Sequence, residues 1–382
     1  MLDPQPYRAL FPHTERWAFF NHAGVSILST RVEEATRSFN QKLSQQPFNE
    51  VVAEAIDVMS DLRSRLADLI NASSADEIVL MPNTAMGLNT AAVSLPLRPG
   101  DNVLVLDGDY PANVYPWQNL AYRGVLTKMV PARDGGVDLE LLKARIDSRT
   151  RAIALSTVQF ASGFRNDLVA VGKLCKERGI FFVVDGIQSL GALPLDVREA
   201  NIDMLACGSQ KWLMGPIGSG FLYVRQGLLD QLQPGAYVGA GSVVDWPNYL
   251  DYNLTPLPTA ERFNLGSQNF AGIYGLHASL SLLQEIGIDH VSERVLALAD
   301  LLIELLRDRG FASSPNARAF HRSGIVIAEV DKPAEVERQL YARNFVCIPR
   351  GRGIRIAPHF YNTEDEIRSL VDALVSIADP RR

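Results

Sequence analysis

The chain has 382 residues, 47% hydrophobic and 21% charged, with a formal net charge of −6. That length suits two domains, or one large α/β domain with an appendage. Mild acidity without long runs of like charge argues against nucleic acid or an anionic membrane as main partner.

The N-terminus "MLDPQPYRAL" lacks the basic and apolar regions of a leader, and no apolar run approaches the length of a spanning helix. The three cysteines, Cys175, Cys207 and Cys347, stand at no metal-binding spacing. A cytoplasmic protein with reduced thiols is expected. Residues 1–16 are Pro-rich and irregular, and "RWAFFNHAG" reads as a short strand running into a turn. Helical periodicity covers 31–45 and 52–70. "EIVLMP" then reads as a strand, and "NTAMGLNTAA" as a turn opening a helix.

From there strand and helix alternate. The spacing predicts strands at 102–107, 126–131, 151–158, 180–185 and 202–208, with a helix at 167–179. Apolar strands separated by helices predict a mostly parallel sheet buried on both faces. A long Pro- and Gly-bearing connection covers 233–262, followed by helices at 270–287 and 290–309. The tail reads as strand "GIVIAEV", helix "PAEVERQLYARN", strands "FVCIP" and "GIRIAP", and helix "TEDEIRSLVDALVSIA".

In such sheets, ligands bind beyond the carboxyl ends of the strands. "FFVVDGIQS" ends a strand with Asp185, and "DMLACGSQK" ends the next with Ser209 and Lys211. One crossover brings an acid and an amine to the same edge. That pair points to pyridoxal phosphate: the amine attaches the aldehyde, and the carboxylate holds a proton on the pyridine nitrogen. In "PNTAMGLN", Asn83, Thr84 and Ala85 fall at a strand-to-helix turn, where backbone N–H groups suit a phosphate. Ser209 adds a hydroxyl. "GPIGSG" follows the lysine rather than a first strand, so it is no dinucleotide fingerprint.

The stretch "VVDGIQSLGALPLDV…IDMLACGSQKWLMGPIGSGFLYV" resembles the class V aminotransferases, a branch of the fold type I pyridoxal phosphate enzymes. This branch includes cysteine desulfurases, isopenicillin N epimerase, kynureninase and C–S lyases. The resemblance runs from "NHAG" to "YNTEDEI". It implies an α/β fold with a large, mostly parallel seven-stranded sheet domain over 17–262. A smaller α+β C-terminal domain would cover 263–382, with 1–16 packing nearby. It also implies a homodimer with the active site at the interface and an amino-acid substrate.

Position by position, the resemblance makes Lys211 the residue that carries the cofactor and Asp185 the partner of its ring nitrogen. Gln188 matches the hydrogen-bond partner of the phenolic oxygen. Asn83, Thr84, Ala85, Ser209 and Gln210 match phosphate contacts. Tyr110 falls where desulfurases carry a histidine stacked on the ring. Ser267 matches a hydroxyl residue that reaches the neighbouring subunit's phosphate, and Arg355 matches the arginine that grips the substrate carboxylate. His22, beside a predicted turn, is either a local hydrogen-bonding residue or a substrate contact. His13, His277, His290, His321 and His359 read as structural.

Two departures bear on the reaction. Gln210 stands where relatives often have His. The desulfurase nucleophile belongs on an extended loop before the carboxylate-binding arginine, whereas here "CIPRGRGIR" runs almost directly from strand to strand, with Cys347 inside the first. Persulfide chemistry on that cysteine is not expected. The expected activity is a lyase acting by β-elimination on a cysteine-type amino acid. Transamination and epimerisation are the alternatives on the same scaffold, and a non-catalytic binding protein is a more remote one.

Overall fold

The computed structural model describes residues 2–378, apart from 234–237, 246, 249 and 315–318. The first strand, β1 (Ala18–Phe19), is followed by β2 (Ile78–Leu80), β3 (Asn102–Leu106), β4 (Leu126–Val130), β5 (Thr150–Ser156), β6 (Phe181–Asp185), β7 (Met204–Gly208) and β8 (Gly220–Val224). Strands β2 to β8 form a seven-stranded sheet in the order β2-β8-β7-β6-β5-β3-β4. Only β8 opposes its neighbours; the β3, β4, β5, β6 and β7 pairings are parallel. This is the α/β architecture expected from the alternating pattern.

Alternation along the strands divides the buried side chains between two layers. Leu104, Ile153, Phe182 and Leu205 enter one core, while Val103, Ala154, Val183 and Met204 enter the other. Both faces are dry, which explains strands that read as continuous apolar runs. The 167–179 reading becomes helix Leu168–Arg178. Asp167 caps it by accepting from the Ala170 N–H at 3.0 Å, and Gly179 ends it at φ 62°. Helix Thr84–Ser94 lies close on β7: a Cβ on Gly87 would sit 2.7 Å from the Ala206 Cβ.

The C-terminal strands are β9 (Ser313–Ser314), β10 (Val326–Glu329), β11 (Phe345–Val346), β12 (Ile348–Arg350) and β13 (Gly353–Ile356). An antiparallel sheet takes them in the order β12-β13-β10-β9, while β11 pairs in parallel with β1. The expected single strand "FVCIP" is therefore two short ones. The chain changes partner sheet at Cys347, which sits between them and is only 2% exposed.

Helix Phe270–Ile286 packs on helices Thr30–Gln45 and Phe48–Leu69, and its Leu276, Leu280 and Leu283 join the core of the large sheet. The separate C-terminal core takes Phe20 from β1's end of the chain and otherwise begins at Leu298, inside helix Ile288–Asp308. We propose that the two lobes divide within that helix rather than at 263, because burial rather than chain position defines a core. The N-terminal segment is held by Phe11, stacked on Tyr361 with ring centres 4.0 Å apart. Among the described residues, no helix is long and apolar enough to cross a membrane.

Candidate active site

Strands β6 and β7 are neighbours, with Asp185 opposite Ala206, so Asp185 and the loop carrying Lys211 emerge at one edge. Asp185 is 2% exposed and accepts the Ile187 N–H at 3.0 Å. Its carboxyl is pushed up to about 7, chiefly by burial; the Ile187 N–H and the charge of Lys211 oppose the shift, and Asp109 adds to it. The Lys211 amine is drawn down to about 8, first by burial, against the pull of Asp185 and with help from Arg355. The two charges sense each other, yet among the described residues no ion pair joins them. The Lys211 Nζ instead lies 5.4 Å from the centre of the Tyr110 ring.

The lysine loop is held from behind. Trp212 is buried, its indole N–H donates to Gln188 Oε1 at 3.2 Å, and its carbonyl meets His359 Nε2 at 3.0 Å. Gln188 also donates to the Ala23 carbonyl at 3.2 Å, and the Ser26 N–H donates to the Gln210 carbonyl at 2.8 Å. Met214, a non-glycine residue at φ 52°, bends the loop so that its N–H reaches the Lys211 carbonyl at 2.9 Å. The tryptophan of "GSQKW" is thus the anchor that fixes where the lysine stands.

A cradle for an anion lies beside this loop. Asn83 is the N-cap of helix Thr84–Ser94, accepting from the Met86 N–H at 2.8 Å. Thr84 and Ala85 begin the helix, where N–H groups have no intrahelical acceptor. Thr84 Oγ1 accepts the Gly208 N–H at 2.8 Å. A Cβ on Gly208 would come within 2.6 Å of Gln210 Oε1 and 3.2 Å of Thr84 Oγ1, so glycine there keeps the cradle open. Gln210 Oε1 is itself buried without a partner. Ser209 is committed elsewhere: its hydroxyl lies 2.8 Å from the Pro216 carbonyl and 2.6 Å from Ser219 Oγ.

Arg355 reaches the site from β13. It is 2% exposed, and its guanidinium has only long contacts, 3.3 Å to Asn21 Oδ1 and 3.5 Å to the Phe160 carbonyl. Burial, and then the neighbouring Arg350, draw its pKa down to about 10. A buried guanidinium with such weak partners is prepared for an anion.

Two expected residues stand apart. His22 is fully buried, and its ring nitrogens meet Ser26 Oγ and, at 3.0 Å, Tyr361 Oη. Both nitrogens are used inside the protein, so the substrate-contact alternative gives way to the local hydrogen-bonding one. Ser267 is exposed on a groove with Gly218 and Gly220, and no described contact joins it to Lys211 or Thr84.

Sequence reasoning passed over Asp109, Thr157, Gln159 and Phe160. Asp109 accepts the Ser156 hydroxyl at 2.6 Å, and its charge is felt by Asp185. Thr157 Oγ1 and Gln159 Nε2 are buried without partners, and the Thr157 N–H donates to the Asp185 carbonyl at 2.9 Å. The signal for Thr157 and Gln159 was the end of the predicted strand 151–158, and for Asp109 the end of the predicted strand 102–107, both at the same edge.

These residues fit pyridoxal phosphate. The amine and the acid are buried near each other but unpaired, orphaned polar atoms lie around them, and a helix start faces the same edge. The aminotransferase class-V family matches residues 18–370. The chain belongs to this family. It is a pyridoxal-phosphate-dependent enzyme. Among its relatives is the Bacillus subtilis (strain 168) protein described as "Uncharacterized aminotransferase YcbU", 30% identical over 375 residues and 98% of each chain. A "Probable cysteine desulfurase" of Methanothermobacter thermautotrophicus is 30% identical over 349 residues and 86% of each chain. The cysteine desulfurase of Thermococcus onnurineus NA1, a solved structure, has a TM-score of 0.88 at 24% identity, covering 100% of this class-V chain and 99% of that one.

Proposed function

We propose that this class-V enzyme is a C–S lyase that eliminates a sulfur group from Cβ of a cysteine-type amino acid. The observation that carries the reading is the buried, unpaired Lys211 and Asp185 beside a buried Arg355, in a chain whose three cysteines are all 2% exposed or less. The desulfurase-named relative supports cleavage at a C–S bond. Burial pushes the Cys347 thiol up, away from the reactive thiolate, which supports elimination without an enzyme persulfide.

The bound cofactor supplies an electron sink that stabilises negative charge at the substrate Cα. Lys211 is placed where it would bind the aldehyde and, as a free amine, would take the substrate's Cα proton; burial keeps a fraction of this amine neutral near pH 7. Asp185 holds a proton at the ring nitrogen. Tyr110, 44% exposed and facing Lys211, covers one side of the site. Asn83, Thr84, Ala85 and Gln210 bind the phosphate, while Gln188 keeps one amide N–H uncommitted for the phenolic oxygen. Arg355 orients the substrate carboxylate. The Cβ–S bond would break with its electron pair on sulfur, which would take the proton held by Lys211 and leave as a thiol. The released unsaturated amino acid would be hydrolysed by water to pyruvate and ammonia.

A panel of cysteine derivatives, read for both pyruvate and released thiol, tests this. Silence across the panel, or amino-group transfer to an α-keto acid in its place, overturns the reading. Arg355→Ala is expected to lower kcat/KM by about ten- to hundredfold, the worth of a charge-assisted contact. Cys347→Ala is expected to leave kcat and KM unchanged, at a stability cost of about 1 kcal/mol measured by urea unfolding; a collapse in kcat would restore a nucleophilic role. A homodimer is part of the proposal, supported by Leu250, Tyr252 and Leu254, each at least 78% exposed on one segment, and by the exposed Ser267. A cytoplasmic location is supported by the three free, buried thiols.

A further inference from the structure

Arg355 is not the only cation in the site. The β12–β13 register pairs Ile348 with Arg355 and Arg350 with Gly353, which puts the two arginines on one face of the sheet. Arg350 lies over Phe160, its Cζ 5.4 Å from the ring centre. Phe160 meets Tyr110 edge-on at 5.2 Å, and Tyr110 faces Lys211. A guanidinium, two rings and the amine thus form one continuous wall. The charge of Arg350 is felt by both Arg355 and Lys211.

Among the described residues, no carboxylate pairs with either arginine, and each has a buried Nε without a partner. Like charges held together in a partly desolvated place are costly unless an anion joins them. The α-carboxylate of an amino acid neutralises one. The cofactor's phosphate belongs with the helix start at Thr84, on other elements. One positive charge is left over.

We propose that Arg350 binds a second anionic group, at the end of the substrate's side chain, so that the preferred substrates are amino acids carrying an acidic oxygen group beyond the sulfur. This deepens the lyase reading and rests on it. The planar fork of Arg350 grips a carboxylate or sulfur oxyacid while Phe160 holds its flat face. A neutral side chain would leave the guanidinium with the ring alone.

A matched pair of ligands tests this, the α-methyl derivatives of S-carboxymethyl-L-cysteine and S-carbamoylmethyl-L-cysteine. They have nearly the same shape, differ by one charge, and lack the Cα proton, so they bind without turning over. Calorimetric titration of the holoenzyme should give a dissociation constant about tenfold or more lower for the acid. Arg350→Ala should bring the ratio close to one by weakening the acid alone, and Arg350→Lys should keep part of the preference. Arg355→Ala should weaken both ligands alike. Equal affinities in the unaltered protein, or a preference that survives Arg350→Ala, overturn the proposal. Should Arg350→Ala fail to fold, the unaltered ratio and Arg350→Gln decide it. Binding of both ligands without preference sinks this inference alone, whereas failure to bind these or any other amino acid sinks the lyase reading with it.

Discussion

Lys211→Ala is expected to lower kcat by about a thousandfold or more, within the range lost with a positioned general base. Borohydride treatment should fix the cofactor to Lys211 in the unaltered protein and leave the variant unlabelled, as mass analysis of its peptides would reveal. Fold and core should persist, because the loop is held by Trp212, Gln188 and His359 rather than by the amine. Small added amines should return part of the rate by supplying a base in the vacated space. Retention of more than a tenth of the activity, or labelling elsewhere in the chain, would remove Lys211 from the mechanism.

Asp185→Asn is expected to move stability and activity in opposite directions. In the cofactor-free protein the folded carboxyl keeps its proton up to about pH 7, whereas its ordinary value is 3.8. Between those values the folded state holds more protons than the unfolded one, so raising the pH favours unfolding. The stability this group allows is intact below about pH 4 and is lost as pH rises through about 7. The displacement corresponds to roughly 4 kcal/mol once the carboxylate is fully ionised. Asparagine carries no such cost and still accepts the Ile187 N–H. The apo variant should therefore equal the unaltered protein near pH 4 and exceed it increasingly toward pH 8, in denaturant melts at each pH. The holoenzyme should lose at least about a hundredfold in kcat, since a neutral amide does not hold the ring proton. An apo variant that is less stable at pH 8, or a fully active one, contradicts the assignment of Asp185.

The two results connect fold and chemistry. A buried carboxylate near a buried amine, with no ion pair between them, is an arrangement a stability-driven protein would avoid. It makes sense as a site that binds a charged ring, and strain of this kind marks functional positions.

The sheet was legible because its strands are apolar on both faces and are separated by periodic helices with clear ends, such as Asp167 and Gly179 at helix Leu168–Arg178. That Lys211 and Asp185 share one sheet edge was legible for a related reason: a charge directly after a buried strand points to the carboxyl edge, where α/β proteins bind ligands. Other readings needed the tertiary contacts. His22 looked equally suited to substrate or scaffold until Ser26 and Tyr361, far apart in the chain, were found on its two nitrogens. Which residue of the turn at 83–85 caps the helix also needed the structure: it is Asn83. Phe160 carried no local signal, because its meaning lies in touching Tyr110 and Arg350.

Sequence alone determined the layered α/β fold and singled out Lys211 and Asp185 as the proposed attachment lysine and its acid, since both follow from short-range periodicity and from charges that interrupt it. Tertiary structure alone decided that Cys347 is sealed where the chain changes sheets, that Ser26 and Tyr361 occupy both His22 nitrogens, and that Arg350 shares a face with Arg355. Those facts depend on which distant segments exclude water or donate hydrogen bonds, and no local pattern encodes that.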